Sequence, residues 1–175
     1  MPLSAAAANV AATSFGSAGT NRAFIRCMPG FFSSGFRNRD RERLLAHKRI
    51  LIVDDEDDPR ELLGLILASR GVQVSEASSV QEALDALKGA RFDAIISDLG
   101  MPERDGYCLI ENIRAQPEFA NLPALALTAF TGAEAHTRGL AAGFDSYMHK
   151  PFDADELLDV IASLIQKGRT SASGF

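Results

Sequence analysis

Charged and hydroxyl side chains stand next to short apolar runs at several places in this chain. Two adjacent carboxylates, Asp54 and Asp55, follow the run Ile-Leu-Ile-Val, and a third, Asp98, follows Ala-Ile-Ile-Ser. Thr128 follows Ala-Leu-Ala-Leu, and Lys150 stands just before a proline. Magnesium takes oxygen ligands and bridges carboxylates to phosphate. Three carboxylates, a hydroxyl and an ammonium would therefore suit one magnesium ion and one phosphoryl group.

The apolar runs are typical of buried parallel strands, and helical patterns separate them. Strands are predicted at residues 49–54, 72–76, 94–97, 124–128 and 146–149. Helices are predicted at residues 59–70, 80–88, 106–115, 133–142 and 153–166. This alternation predicts an α/β fold, a flavodoxin-like doubly wound sheet of five parallel strands in the order 2-1-3-4-5, flanked by five helices. In such sheets chemistry gathers outside the carboxyl ends of the strands, where the polar groups would meet.

The first helical pattern places a set of apolar side chains on one stripe. Its members are Leu62, Leu63, Ile66 and Leu67. An apolar stripe of this kind is the face that a helix turns toward a core.

The first 47 residues differ in composition from the rest of the chain. They carry a net charge of +4, whereas the residues from Lys48 onward carry −9. They lack hydrophobic periodicity, so we expect a disordered tail over 1–47, a folded domain over 48–168 and a short C-terminal tail over 169–175. The Arg- and Ser-rich, acid-poor composition also resembles an organelle transit peptide. Residues 38–48 are compatible with a short helix before the first strand.

Charge and composition also argue against several function classes. The acidic domain argues against direct nucleic-acid binding, and no apolar run is long enough to suggest a membrane span. Two cysteines, Cys27 and Cys108, form neither a metal-binding pattern nor a disulfide framework, which indicates a cytoplasmic location. No glycine-rich phosphate loop is present to support nucleotide binding.

Most of the polar residues also have a purely structural interpretation. Asp54 and Asp55 begin an acidic cluster of the kind that caps a helix. Lys150 could be a surface lysine, and Thr128 could be a strand-end hydroxyl that caps the backbone. Asp98 is harder to explain in this way, since it ends a buried strand in a loop, where an ionised side chain has no structural need. A carboxylate can also attack phosphorus to give an aspartyl phosphate.

The chain from about residue 49 to residue 166 resembles the receiver domain of bacterial two-component response regulators, of the single-domain type or from a hybrid histidine kinase. The motifs that carry the resemblance are Ile-Leu-Ile-Val-Asp-Asp-Glu at 50–56, Ser-Asp-Leu-Gly-Met-Pro at 97–102, Asp105-Gly106, Leu-Thr-Ala at 127–129 and Lys-Pro-Phe at 150–152. These motifs are widely separated and together cover the whole of the predicted folded part.

The resemblance implies a phosphorylation-activated switch and not an enzyme, apart from self-phosphorylation and self-dephosphorylation. Asp98 would accept a phosphoryl group from a phosphohistidine on a sensor histidine kinase or a histidine phosphotransfer protein. Asp55, Asp98 and the Gly100 backbone carbonyl would ligate the Mg²⁺ cofactor, with Asp54 acting mainly through water. Lys150 would hold the phosphoryl group, and the bond to the proline after it would be cis.

The resemblance further implies that the site is coupled to a distant surface. After phosphorylation Thr128 would move toward the new oxygens, and Tyr147 would turn inward into the vacated space. The structural alternative for Tyr147 is an ordinary half-buried aromatic. A downstream protein would bind the face formed by predicted helix 4, strand 5 and helix 5. Neither nucleic acid nor a membrane is expected as a direct partner, and no output domain is expected in the chain.

Three function classes stay open on the sequence. The first is a signalling receiver, either stand-alone or detached from a hybrid kinase. The second is a phosphatase of the haloacid dehalogenase type, whose Asp-x-Asp motif is followed closely by Thr or Val. Here Asp55-Glu56-Asp57 is followed by Asp58-Pro59, which departs from that motif. The third is a phosphorylation-independent scaffold with the same fold, against which the complete set of polar residues argues.

Overall fold

The computed structural model describes residues 38–102, 105–129 and 133–171 of the chain. The helices in these residues are α1 (Asn38–Leu45), α2 (Asp57–Ala68), α3 (Val80–Gly89), α4 (Gly106–Arg114), α5 (Ala133–Ala142) and α6 (Ala154–Ser171). The strands are β1 (Arg49–Val53), β2 (Gln73–Ala77), β3 (Ala94–Asp98), β4 (Ala124–Thr128) and β5 (Ser146–His149). Strand and helix alternate from β1 to α6, as the sequence pattern predicted.

All five strands pair in parallel, in the order β2-β1-β3-β4-β5. The predicted flavodoxin-like topology is therefore confirmed. Central strands β3 and β4 are buried along their whole length, which is why their sequences are continuous apolar runs and do not alternate. The register pairs Asp98 with Leu127 and Thr128 with His149, so polar residues of neighbouring strands reach the same edge of the sheet.

The sheet is covered by helices on both faces. Side chains of α3 and α4 share one core cluster with Leu51, Val53 and Ile95. Ile50 and Ile52, which alternate with these along β1, are equally buried and point to the opposite face. On that face α2 and α6 contact the sheet.

The predicted apolar stripe of α2 is only partly correct. Leu63 and Leu67 are buried, and Ile66 is half-buried, but Leu62 is 59% exposed. A helix turns by about 100° per residue, so Leu63 and Leu67, which are four residues apart, point in nearly the same direction. Leu62 points about 100° away from Leu63. The position of α2 on the sheet decides which of these leucines is covered.

α1 lies within the segment expected as a tail over 1–47, at the place where the sequence is compatible with a short helix, and it adds a sixth helix to the predicted five. α1 packs against α6, with Arg41 buried between them. The Arg41 guanidinium donates to Asp155 Oδ1 at 2.7 Å and to Asp159 Oδ1 at 3.0 Å. Local sequence patterns could not pair these residues, because 114 and 118 positions separate them. The predictions for residues 1–37 lie outside the described residues.

At the other end of the domain, α6 continues to Ser171, into the segment expected as a short tail over 169–175. Gly168 does not end the helix. A Cβ at this position would lie 2.9 Å from Pro123 Cγ, so the glycine allows a close contact with the loop before β4. Neither α6 nor any other helix in the described part of the chain is long and apolar enough to cross a membrane.

Candidate functional site

Asp98 is the last residue of β3 and is buried. Its Oδ2 accepts a hydrogen bond from the Gly100 backbone N–H at 2.5 Å, and its Oδ1 lies 2.7 Å from Lys150 Nζ. Because β3 pairs with a strand on each side, the sheet itself fixes the position of this carboxylate.

Asp54 follows β1 and is buried, whereas its neighbour Asp55 is exposed. Asp54 Oδ2 accepts from Lys150 Nζ at 2.8 Å, and Oδ1 accepts from the Glu56 backbone N–H at 3.0 Å. Arg60 donates to the Asp54 backbone carbonyl at 2.7 Å. The fold therefore brings Asp54 to the carboxylate of β3 and leaves Asp55 at the surface beside the pair.

Lys150 joins the two buried carboxylates through one ammonium group. Burial disfavours the charged form of Lys150, but hydrogen bonds to Asp54 and Asp98 outweigh this effect and raise its pKa above the usual value. The lysine is therefore charged at neutral pH. Its backbone N–H donates to the Thr128 carbonyl at 2.7 Å, and the Lys150–Pro151 bond is cis, as the resemblance implied.

Thr128 links the site to β5. Its side chain is fully buried at the end of β4 and shares a hydrogen bond with the Tyr147 side chain. Tyr147 is also buried, and this burial raises its pKa although the bond to Thr128 acts in the opposite direction. Its ring meets the His149 ring edge-on, with the centroids 5.1 Å apart. Tyr147 is thus more buried than an ordinary half-covered aromatic.

Gly106 has a role that sequence reasoning missed. A Cβ at this position would lie 2.4 Å from the Asp98 carbonyl oxygen and 2.9 Å from Leu99 Cδ2. The preceding residue, Asp105, caps α4 by accepting from the Cys108 N–H at 2.9 Å. The Asp-Gly pair lets α4 begin directly against the end of β3. The motif signalled that these residues matter, but only the fold shows the close approach that requires glycine.

The oxygen atoms at this edge of the sheet are of the chemical type that binds a magnesium ion. Asp54, Asp55, Asp98 and the Gly100 carbonyl offer the hard oxygen ligands that Mg²⁺ takes. Two of the carboxylates are buried around one cation, so positive charge stabilises the site. Within the described ranges, no three or more His, Cys, Asp or Glu side chains are arranged as a metal cluster. Asp55 lines a cleft of about 440 Å³ together with residues such as Ser78, Gln81 and Met101, and neither Asp54 nor Asp98 is among the residues that line it.

The profile of the response regulator receiver domain matches residues 50–162, and the chain therefore belongs to that family. An uncharacterized 14.6 kDa protein in the sodA1 3' region of Leptolyngbya boryana is 40% identical over 117 residues, covering 67% of this chain and 89% of that protein. Response regulator MprA of Mycolicibacterium vanbaalenii is 38% identical over 119 residues, covering 68% of this chain. The chain aligns with only about half of MprA, 51% of its length.

Among solved structures, this chain is similar to the receiver domain of sensor histidine kinase PA1611 from Pseudomonas aeruginosa. The TM-score is 0.65 at 31% identity, covering 69% of this chain and 99% of that one. That structure holds a magnesium ion coordinated in its active site cleft. The family acts in two-component signalling with sensor histidine kinases, and it is a family of switches and not of conventional enzymes. The family match favours the receiver over the phosphatase hypothesis.

Proposed function

We propose that this protein is a phosphorylation-activated switch whose Asp98 accepts a phosphoryl group from the phosphohistidine of a sensor kinase or a histidine phosphotransfer protein. In this reaction an Asp98 carboxylate oxygen bonds to phosphorus, the phosphorus–nitrogen bond to the donor imidazole breaks, and the imidazole takes up a proton. The observation that carries the proposal is the bridge from Lys150 to Asp54 and Asp98 at the carboxyl end of the sheet.

Each polar group at the site has a role in this transfer. Asp55, Asp98 and the Gly100 carbonyl would hold Mg²⁺, with Asp54 acting through water, and the bound ion would neutralise charge on the phosphoryl oxygens. The Lys150 ammonium is 2.7 Å from the acceptor carboxylate, so it is within reach of a phosphoryl oxygen attached there. These groups supply charge neutralisation and positioning, which are the main requirements of phosphoryl transfer.

The proposed output surface is the face formed by α5, β5 and α6. Thr128 bonds to Tyr147, and a phosphoryl group on Asp98 would draw the threonine hydroxyl toward itself and change that bond. The downstream partner is proposed to be a protein, since the acidic charge of the domain disfavours a nucleic acid. The proposal includes a cytoplasmic location, which the free thiol of Cys108 supports.

Phosphorylation by acetyl phosphate in the presence of Mg²⁺ tests the proposal directly. Intact mass should increase by one phosphoryl group in the natural chain, and Asp98→Ala should abolish the increase. Asp85→Ala removes an exposed carboxylate on α3 and is the matched control, which should be phosphorylated normally. An unmodified natural chain, or a modified Asp98→Ala variant, would contradict the assignment.

The two competing functions predict different results in the same preparation. A phosphatase of the haloacid dehalogenase type would release phosphate from a phosphomonoester over many turnovers. A phosphorylation-independent scaffold would bind its partner equally well with and without acetyl phosphate. The proposed switch should show neither behaviour.

A further inference from the structure

Tyr107 on α4 is held by residues from two elements. It is buried, and burial raises its pKa. The Arg138 guanidinium of α5 lies over its ring, 4.1 Å from the ring centroid, which is a cation–π contact. Arg138 Nη2 also lies 3.4 Å from Asp105 Oδ2. Because Asp105 caps α4 and Gly106 adjoins Asp98, this arginine connects α5 to the end of the acceptor strand.

A second set of contacts reaches α5 from the other side of the site. A Cβ on Gly139 would lie 3.5 Å from Tyr147 Cδ2 and 3.9 Å from Tyr107 Cε1, so the α5 backbone lies against both tyrosine rings. Tyr147 is bonded to Thr128. One route from the site runs through Asp105 and the other through Thr128, and the two routes end on adjacent residues of α5.

We infer that Arg138 is a positioning residue of the switch, which ties α5 to the start of α4 and so holds the α5 backbone against Tyr147. The inference rests on the proposed function, and it adds Arg138 and Tyr107 to a coupling that had been assigned to Thr128 and Tyr147. Losing Arg138 should weaken the buried position of Tyr147. The Arg138 side chain is 67% exposed, so the expected effect is modest, about three- to fivefold in the equilibrium between buried and accessible Tyr147.

Tyrosine emission allows a direct test, because the chain contains two tyrosines and no tryptophan. Tyr107→Phe keeps an aromatic ring under Arg138 and leaves Tyr147 as the only emitter. Arg138→Gln and Arg138→Lys are compared in this background of the full chain. Arg91→Gln is the control, since it removes the same charge from an exposed position before β3. Acrylamide quenching of Tyr147 emission is measured before and after adding acetyl phosphate and Mg²⁺, with phosphorylation followed by intact mass.

Arg138→Gln should move the equilibrium about three- to fivefold toward quencher-accessible Tyr147, and Arg138→Lys should restore part of it by returning the charge. Arg91→Gln should have no effect. All variants should gain one phosphoryl group, because Arg138 does not touch the reacting carboxylate. The inference would be overturned by unchanged quenching in Arg138→Gln or by no restoration in Arg138→Lys. It would also be overturned if the quenching of Tyr147 emission did not change on phosphorylation. Absence of the phosphoryl group in every variant would overturn the proposed function instead.

Discussion

Arg114 and Lys150 are partly buried cations at opposite ends of the sheet, and they bond to different kinds of acceptor. Their side chains are similarly covered, with 20% and 25% exposure. Lys150 contacts two carboxylates at the carboxyl ends of the strands. Arg114 lies near the amino ends of β4 and β5, and its hydrogen bonds go to the carbonyls of Gly143, Phe119, Ala120 and Leu122 and to the carboxylate of Asp145.

Burial by itself lowers the pKa of both cations, but their net pKa shifts have opposite signs. Burial lowers the pKa of Arg114, although Asp145 acts against this, and its other acceptors are neutral. For Lys150 the two carboxylates outweigh burial and raise the pKa. Loss of Arg114 would leave the carbonyls of Gly143, Ala120 and Leu122 without this donor, which a dissolved cation does not replace. Loss of Lys150 would leave two negative charges, which another cation can neutralise. One end of the sheet is held by hydrogen bonds to fixed backbone carbonyls, and the other holds two carboxylates around one ammonium group.

The largest expected effect is the loss of Arg114. Arg114→Met should reduce the free energy of unfolding by about 2–4 kcal/mol, because the part-buried carbonyls of Gly143, Ala120 and Leu122 lose their arginine donor. Urea denaturation measures the loss, and Arg91→Gln should change stability by less than about 0.5 kcal/mol. Added Mg²⁺ should not repair the Arg114 variant. A loss similar to that of the control would show that this end of the sheet is not held in the way the contacts suggest.

A smaller effect is expected where α4 meets the acceptor strand. Gly106→Ala should destabilise the domain by about 1–3 kcal/mol, since the new methyl group meets backbone. The rate of phosphorylation by acetyl phosphate should also fall, because the carboxyl group of Asp98 is displaced. Gly89→Ala is the matched control, as nothing lies within 4 Å of its added Cβ. Equal stability of the two variants in urea would refute the close approach.

Removal of the site lysine tests the other half of the comparison. Lys150→Ala should reduce the free energy of unfolding by about 1–2 kcal/mol at low ionic strength, because the two carboxylates then repel each other. Partial exposure of the site to solvent keeps this repulsion small. Mg²⁺ should bind this variant and recover much of the loss, while the response of Tyr147 to phosphorylation disappears. Unfolding is followed with Mg²⁺ and with a chelator. No recovery by Mg²⁺ would contradict an exchangeable charge at this end.

The smallest effect concerns the tyrosines between the site and α5. Burial raises the pKa of Tyr107 and of Tyr147 above 10.0, so the folded chain holds these protons longer than the unfolded chain. Stability should therefore be complete below about pH 10 and fall as the pH rises through the folded pKa values. Ultraviolet absorbance during alkaline titration measures both phenols. Ionisation of both at the ordinary pH of free tyrosine would show that this region is not shielded from water.

The elements of the fold were predictable because each depends on local pattern. Continuous apolar runs marked β3 and β4 as strands buried on both faces, and helical patterns separated the runs. α1 was predicted only as a possible short helix, because its stability depends on Arg41 reaching acids on α6. The burial of Leu63 and the exposure of Leu62 likewise depend on how α2 lies on the sheet.

The sequence by itself determined that Asp54, Asp98, Thr128 and Lys150 stand at strand ends, and a parallel sheet brings such ends to one edge. It did not determine that Asp54, and not Asp55, would be buried against Lys150. Nor did it indicate that Arg114 would bond to four carbonyls or that Arg138 would stack on Tyr107. Periodicity encodes which backbone segments are buried, whereas the partner of a long charged side chain depends on elements distant in the chain. Only the assembled tertiary structure could decide those contacts.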